Sequence, residues 1–202
     1  MKKLIGFIAA VAISATAFAQ KGTLPIGAPF PDQPYNTQNV LTDKQETMTS
    51  MATDKGLLVV FTCNTCPFVI RNIDRTAEVL EFAKKQGVGI MLINSNEAQR
   101  NDADAADKMV AFAKKQKYPN YFIDKGASLA DLFGASHTPE VFLFDGKTKT
   151  LVYKGAMDDN PADPKSAKVM YLTDAITNMV AGNAITPAET KSVGCSIKRL
   201  KS

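Results

Sequence analysis

Two cysteines separated by two residues, Cys63 and Cys66, are the feature of the sequence with the clearest chemical potential. A pair with this spacing can form half of a zinc site, a structural disulfide or a redox-active dithiol. The pair follows the apolar run Leu57–Phe61 and precedes a helical pattern, so we expect Cys63 at a helix N-terminus, which stabilises a thiolate. Cys66, one turn further on, is then placed to attack a mixed disulfide formed on Cys63.

Few other residues could share this chemistry. The chain has one histidine, His137, a third cysteine, Cys195, and no tryptophan. A zinc site on the pair would need two further ligands, for which only these two residues remain, so a redox dithiol is favoured. If Cys63 and Cys66 form the resting disulfide, Cys195 has no intramolecular partner, and we expect it to be auxiliary to the exchange reaction.

The elements that must position the cysteine pair alternate along the chain. The predicted strands are the apolar runs Leu57–Phe61, Val88–Ile93, Tyr121–Ile123, Val141–Phe144 and Leu151–Tyr153. The predicted helices cover residues 70–87, 97–117, 128–133 and 169–180. The last two strands flank Asp145-Gly146 as a β-hairpin. This order predicts an α/β layer architecture in which part of the sheet is parallel and the hairpin adds antiparallel strands.

The first nineteen residues have the pattern of a secretory signal peptide. Met1-Lys2-Lys3 is basic, Leu4–Ala15 is apolar, and Ala17-Phe18-Ala19 places small residues before a cleavage site. The apolar run is too short for a convincing membrane span. We therefore expect residues 20–202 to form a single exported domain in a periplasmic or secreted location, without membrane insertion after the signal is removed. Disulfides persist in such compartments.

The overall composition is that of a folded globular protein. Apolar residues make up 45% of the chain and charged residues 22%, and 24 basic side chains against 20 acidic ones give a formal charge of +4. These values exclude a disordered, collagen-like or disulfide-dense chain. No run of Lys and Arg with interleaved aromatic residues occurs, so nucleic acid is not an expected partner.

Several motifs together resemble a known family. The segment Phe61–Pro67 follows a buried strand, and Thr138-Pro139 precedes the strand of a late hairpin, which resembles the thioredoxin fold. The entry segment Gly27–Phe30 and the long insert between the second and third strands are similar to the redoxin branch, which includes the alkyl hydroperoxide reductase/thiol-specific antioxidant proteins. The segments 137–145, 155–160 and 193–198 resemble a secreted bacterial subgroup. The resemblance covers most of residues 24–198.

The resemblance implies a three-layer α/β fold with a central mixed sheet and helices on both faces. It implies that Cys63 is the attacking thiolate and Cys66 the resolving thiol. Pro139 is expected to be a cis-proline that faces the disulfide. Thr138, the residue before it, is expected to offer backbone groups to an extended substrate strand.

Three departures from the family pattern affect the expected activity. The spacer is Asn64-Thr65 rather than Gly-Pro, so the direction of the redox reaction is open. The strand Leu57–Phe61 lacks the acidic residue that thioredoxin carries there, which leaves the proton acceptor for Cys66 unidentified. The peroxidatic P-x-x-x-T-x-x-C loop is absent, so we do not expect peroxidase activity by that mechanism.

Two functions follow from these residues. The first is an exported thiol–disulfide oxidoreductase that acts on protein disulfides through Cys63 and Cys66, needs no cofactor, and works with an unidentified redox partner. The alternative is a thioredoxin-fold copper chaperone with Cys63, Cys66 and His137 as ligands, since soft thiolates suit Cu(I). Copper carriers of this kind have three residues between their two cysteines, whereas this chain has two. A surface or loop-packing role is favoured for His137.

Overall fold

The computed structural model describes residues 22–31 and 37–200. The signal peptide expected over residues 1–19 lies outside this part of the chain. Within the described ranges, no helix is long and apolar enough to cross a membrane.

A mixed sheet forms the centre of the domain. In chain order the described strands are β1 (Thr37–Asn39), β2 (Lys44–Gln45), β3 (Gly56–Phe61), β4 (Gly89–Asn94), β5 (Phe122–Asp124), β6 (His137–Thr138), β7 (Glu140–Asp145), β8 (Leu151–Gly155) and β9 (Cys195–Ser196). Seven of them form one sheet in the order β2-β1-β5-β4-β3-β7-β8, and β6 pairs with β9 separately. β3, β4 and β5 are parallel to one another, whereas β7 pairs antiparallel with β3 and β8 pairs antiparallel with β7. The predicted combination of a parallel portion with a hairpin is confirmed.

Helices cover both faces of this sheet. They are α1 (Met48–Met51), α2 (Pro67–Arg71), α3 (Ile73–Lys85), α4 (Ala106–Gln116), α5 (Ser128–Phe133) and α6 (Tyr171–Ala181). Successive side chains of a strand point to opposite faces. Leu58 and Val60 therefore pack with α3, α4 and α6, while Leu57, Val59 and Phe61 pack with α1 and α5. The three-layer α/β fold is confirmed.

The helical pattern that begins at Ile70 is interrupted, which the sequence did not predict. Asn72 is buried between α2 and α3, and its side-chain amide donates to the carbonyl oxygens of Phe68 (2.8 Å) and Pro161 (2.9 Å). Ile70 belongs to α2, before the break, and is 46% exposed. The buried face of α3 is instead formed by Thr76, Val79, Leu80 and Ala83.

Candidate active site

The loop between β3 and α2 carries the cysteine pair. Helix α2 begins at Pro67, a residue suited to the first helical position because it has no N–H to satisfy. Cys66 is therefore the N-cap residue, and its carbonyl oxygen accepts from the backbone N–H of Ile70 at 3.0 Å. The expectation that Cys63 lies at the helix N-terminus is wrong, since Cys63 precedes the helix by a full loop.

The environment of Cys63 also differs from the expected exposed thiolate. Its side chain is 2% exposed, and its Sγ forms a hydrogen bond of 3.4 Å with Thr138 Oγ1. Burial raises the pKa of the Cys63 thiol, and the negative charge of Asp104 acts in the same direction, although the Thr138 hydrogen bond opposes them. Burial of Cys63 therefore favours its thiol form, while hydrogen bonds from the backbone of Cys66 and Thr65 act in the opposite direction.

The disulfide of the structure joins Cys66 to Cys195. Their Cα atoms are 6.0 Å apart although 129 positions separate them in the sequence. Cys63 is the free cysteine. The expected Cys63–Cys66 resting disulfide is therefore not the one present, and Cys195 does have an intramolecular partner. The cause is long-range: the tail after α6, expected to be irregular, returns to the site as β9 and pairs with β6.

Thr138 and Pro139 lie beside these sulfurs, as the resemblance implied. The peptide bond between them is cis. Thr138 is buried, and its carbonyl oxygen lies 3.2 Å from Cys66 Sγ. A cleft of about 250 Å³ opens next to this contact, lined in part by Thr65, Gln99 and the residues around Cys66. The structure thus brings together all four site residues predicted from the sequence and adds Cys195.

Asp104, which the sequence did not single out, bonds to the spacer between Cys63 and Cys66. Its carboxylate is buried and accepts hydrogen bonds from the backbone N–H of Asn64 (2.9 Å) and from the side-chain amides of Asn94 (2.8 Å) and Asn96 (2.9 Å). These bonds tie the spacer between Cys63 and Cys66 to the end of β4. Asp104 comes from the insert before α4, whereas β3 contains no acidic residue.

His137 does not join the cysteines in a ligand set. Its Nδ1 lies 2.8 Å from the hydroxyl oxygen of Ser136, and Cys66 is engaged in the disulfide. Among residues 22–31 and 37–200, no group of three or more His, Cys, Asp and Glu side chains is arranged to hold a metal ion. The arrangement gives the copper-chaperone alternative no support.

Among the matching solved structures, two cover nearly the full chain. A hypothetical protein, SMc02350, from Sinorhizobium meliloti 1021 is 28% identical with a TM-score of 0.79, covering 90% of this chain and 98% of the other. An uncharacterized conserved protein from Geobacillus kaustophilus is 27% identical with a TM-score of 0.80, covering 88% and 94%. A thioredoxin-like protein in the oxidized form shares the fold at 18% identity and a TM-score of 0.60, covering 79% and 99%.

The family comparison covers the core of the domain. None of the curated proteins compared with the chain matches it. The Redoxin family model matches residues 25–170, which include the cysteine pair, Thr138 and Pro139 but end before Cys195. The sheet order, the cis peptide and the paired cysteines agree with that match. The chain therefore belongs to the redoxin family and has a thioredoxin-like fold.

Proposed function

We propose that the chain is an exported thiol–disulfide oxidoreductase that exchanges disulfides with protein substrates. The observation behind this proposal is that three cysteines pack together. The Cys66–Cys195 disulfide and the Cys63 thiol belong to one cluster beside Thr138. Thiol–disulfide exchange needs a thiol next to a disulfide. Membership in the redoxin family supports redox activity in general.

Cys66 is the sulfur at which we expect exchange with substrate to take place. It is already bonded to Cys195 and packs against Cys63, so either residue can act as its internal partner. The sequence assigned the attack to Cys63. Both cysteines are buried, at 2% and 4% exposure, so the assignment to Cys66 rests on its place in the observed disulfide. The protein substrate is expected to reach Cys66 through the cleft lined by Thr65, Gln99 and Ser196.

The proposed reaction balances without a cofactor. In the reduced protein, the Cys66 thiolate attacks one sulfur of a substrate disulfide and expels the other as a thiolate. A second thiol of the site then attacks Cys66 Sγ, which releases the remaining substrate sulfur and closes an internal disulfide. The substrate gains two electrons and two protons, and the protein loses them. The reverse sequence oxidises a substrate dithiol.

Insulin reduction by dithiothreitol tests this function. We expect the wild-type protein to shorten the lag before insulin precipitates, and a variant with all three cysteines changed to Ser to behave like dithiothreitol alone. Hydrogen peroxide should be consumed at least about tenfold more slowly than insulin disulfides, because the chain lacks the peroxidatic P-x-x-x-T-x-x-C loop. An unchanged lag, or faster consumption of peroxide than of insulin, would contradict the proposal.

Export is a separate part of the proposal and has its own test. The basic, apolar and small-residue regions of residues 1–19 support cleavage after Ala19. Protein recovered from the native host should therefore begin at Gln20, as measured by intact mass and N-terminal sequencing. Recovery of soluble cytoplasmic protein that still begins at Met1 would show that the chain is not exported.

A further inference from the structure

The segment Gly194–Lys198, here called the tail strand, lies along the edge of β6. Within it, Cys195 pairs with Thr138 and Ser196 pairs with His137 in antiparallel register. Addition of an extended segment to a free strand edge is a general way in which proteins take up peptides. Here the chain's own tail pairs with the backbone of Thr138, whose carbonyl oxygen lies beside the sulfur of Cys66.

The tail strand approaches β6 closely because it begins with a glycine. A Cβ atom at Gly194 would lie 2.2 Å from the carbonyl oxygen of Thr138, a distance that real Cβ atoms do not adopt. The contact is with backbone, which has no rotamer to change. Any larger residue at position 194 must therefore push the tail strand away from Thr138.

Backbone contacts hold the rest of the tail strand in place, and the next residue, Arg199, donates to Asp131 at 2.6 Å and to the carbonyl oxygen of Ala135 at 2.7 Å. The backbone N–H of Ile197 donates to the carbonyl oxygen of Ser136 at 3.0 Å, and that of Lys198 donates to Asn96 Oδ1 at 2.8 Å. The carbonyl oxygen of Lys198 accepts from Ala98 at 2.9 Å. The Ile197 side chain is buried, whereas Ser196 is exposed. The tail strand is thus held against β6 by its disulfide, these hydrogen bonds and the buried Ile197 side chain.

The third sulfur lies in the same buried cluster as the disulfide. Cys63 and Cys66 belong to one buried cluster, and Cys195 packs against the same cluster. Thr138 contacts all three cysteines: its hydroxyl bonds Cys63, its carbonyl oxygen lies beside Cys66 Sγ, and its backbone pairs with Cys195. The two residues of the spacer keep Cys63 within reach of Cys66 through any motion of the tail.

Resting on the function proposed above, we propose that Cys195 is a third redox-active residue and that the tail strand is an internal substrate of the cysteine pair. The disulfide then has two positions. In the closed form it joins Cys66 to Cys195, and the tail strand covers Thr138. In the open form it joins Cys63 to Cys66, and the tail strand is free to leave, so that an external protein strand can take its place.

Conversion between the two forms is a balanced exchange. The Cys63 sulfur, after loss of its proton, attacks Cys66 Sγ, and the bond between Cys63 and Cys66 forms as the bond between Cys66 and Cys195 breaks. The electron pair of the broken bond remains on Cys195 Sγ, which takes up a proton. The number of disulfides and thiols is unchanged, so no external oxidant or reductant is required.

Labelling of the oxidised protein alone tests this exchange. Wild-type protein with one disulfide is incubated with iodoacetamide at pH 8 without reductant, and the labelled peptides and disulfides are identified by mass spectrometry. We expect label on Cys195 together with a Cys63–Cys66 disulfide, at a rate independent of protein concentration. In Cys63→Ser, label on Cys195 should appear at least tenfold more slowly. Equal labelling in the two proteins, or none on Cys195 in the wild type, would overturn the proposal.

A second variant keeps all three cysteines and displaces only the tail strand. Gly194→Ala should increase the equilibrium ratio of the Cys63–Cys66 to the Cys66–Cys195 disulfide at least tenfold. Gly22→Ala is the matched control, because a Cβ there meets no atom within 4 Å and should leave the ratio unchanged. A wild-type ratio in Gly194→Ala would refute the tail strand as the closing element.

These measurements use no substrate, so they separate this inference from the proposed function. If the protein reduces insulin but its disulfide does not move, the proposed role of Cys195 is wrong and the proposed oxidoreductase function stands. Movement of the disulfide without turnover of insulin would support the internal exchange and remove the activity on external proteins.

Discussion

Cys66→Ser is expected to lower the rate of insulin reduction by about 10³-fold or more, equivalent to ~4 kcal/mol in activation free energy. The reason is that Cys66 belongs to the observed disulfide and is also the partner within reach of Cys63. Without Cys66, neither internal disulfide can close. The rate of insulin reduction at fixed dithiothreitol, with folding checked by circular dichroism, measures the effect.

The other two cysteines provide the controls for this prediction. Cys195→Ser leaves Cys63 as the internal partner and should keep turnover within about a factor of three, well below a tenfold change of ~1.4 kcal/mol. A double variant that retains only Cys66 should accumulate mixed disulfides with substrate proteins, whereas one that retains only Cys63 should accumulate few. A thousandfold loss in Cys63→Ser, with Cys66→Ser still active, would instead establish Cys63 as the attacking residue.

Asp104→Ala is expected to lower the free energy of unfolding by about 3–5 kcal/mol, since each buried donor left without an acceptor costs about 1–3 kcal/mol. Three donors depend on this carboxylate: the backbone N–H of Asn64 and the amides of Asn94 and Asn96. Urea denaturation at pH 7 measures the loss. Asn96 also accepts from Lys198, so the variant should loosen the tail strand as well.

Asp102→Ala is the matched control for Asp104→Ala. Asp102 lies two residues away, its side chain is 86% exposed, and its ion pair with Lys108 has an N–O distance of 3.4 Å. Exposed pairs of this kind contribute at most about 1 kcal/mol. Equal losses in the two variants would show that the buried network does not stabilise the domain as the structure implies.

The sequence predicted the elements whose signals are local. The apolar runs before Cys63 and after Gly87 are both central strands, and the hairpin around Asp145-Gly146 is present. The α/β architecture follows from these runs and the helical patterns between them. The cis peptide before Pro139 was implied by family resemblance, since a single sequence does not reveal the isomer of a proline bond.

The features that were not predicted depend on distant parts of the chain. Asp104 differs from Asp102 only in what the fold packs around it, and that environment is not encoded in neighbouring residues. The exchange partner of Cys66 lies beyond the last helix, where no periodic pattern predicted a strand. The position of Cys63 was misjudged because the cysteine pair lies between a buried strand and a helical pattern, whereas Pro67 sets the start of α2.

The observed disulfide closes a long loop, and the length of that loop decides how strongly the disulfide lowers the entropy of the unfolded chain. A cross-link between residues 129 apart restricts the unfolded ensemble far more than one between Cys63 and Cys66. In the chain-entropy description the two cross-links are worth about 4.9 and about 1.9 kcal/mol at 25 °C. Transfer of the disulfide from the tail to the pair therefore lowers the free energy of unfolding by about 3 kcal/mol. The protein should accordingly resist heat best when its tail is bound, and lose part of that resistance when the tail is released.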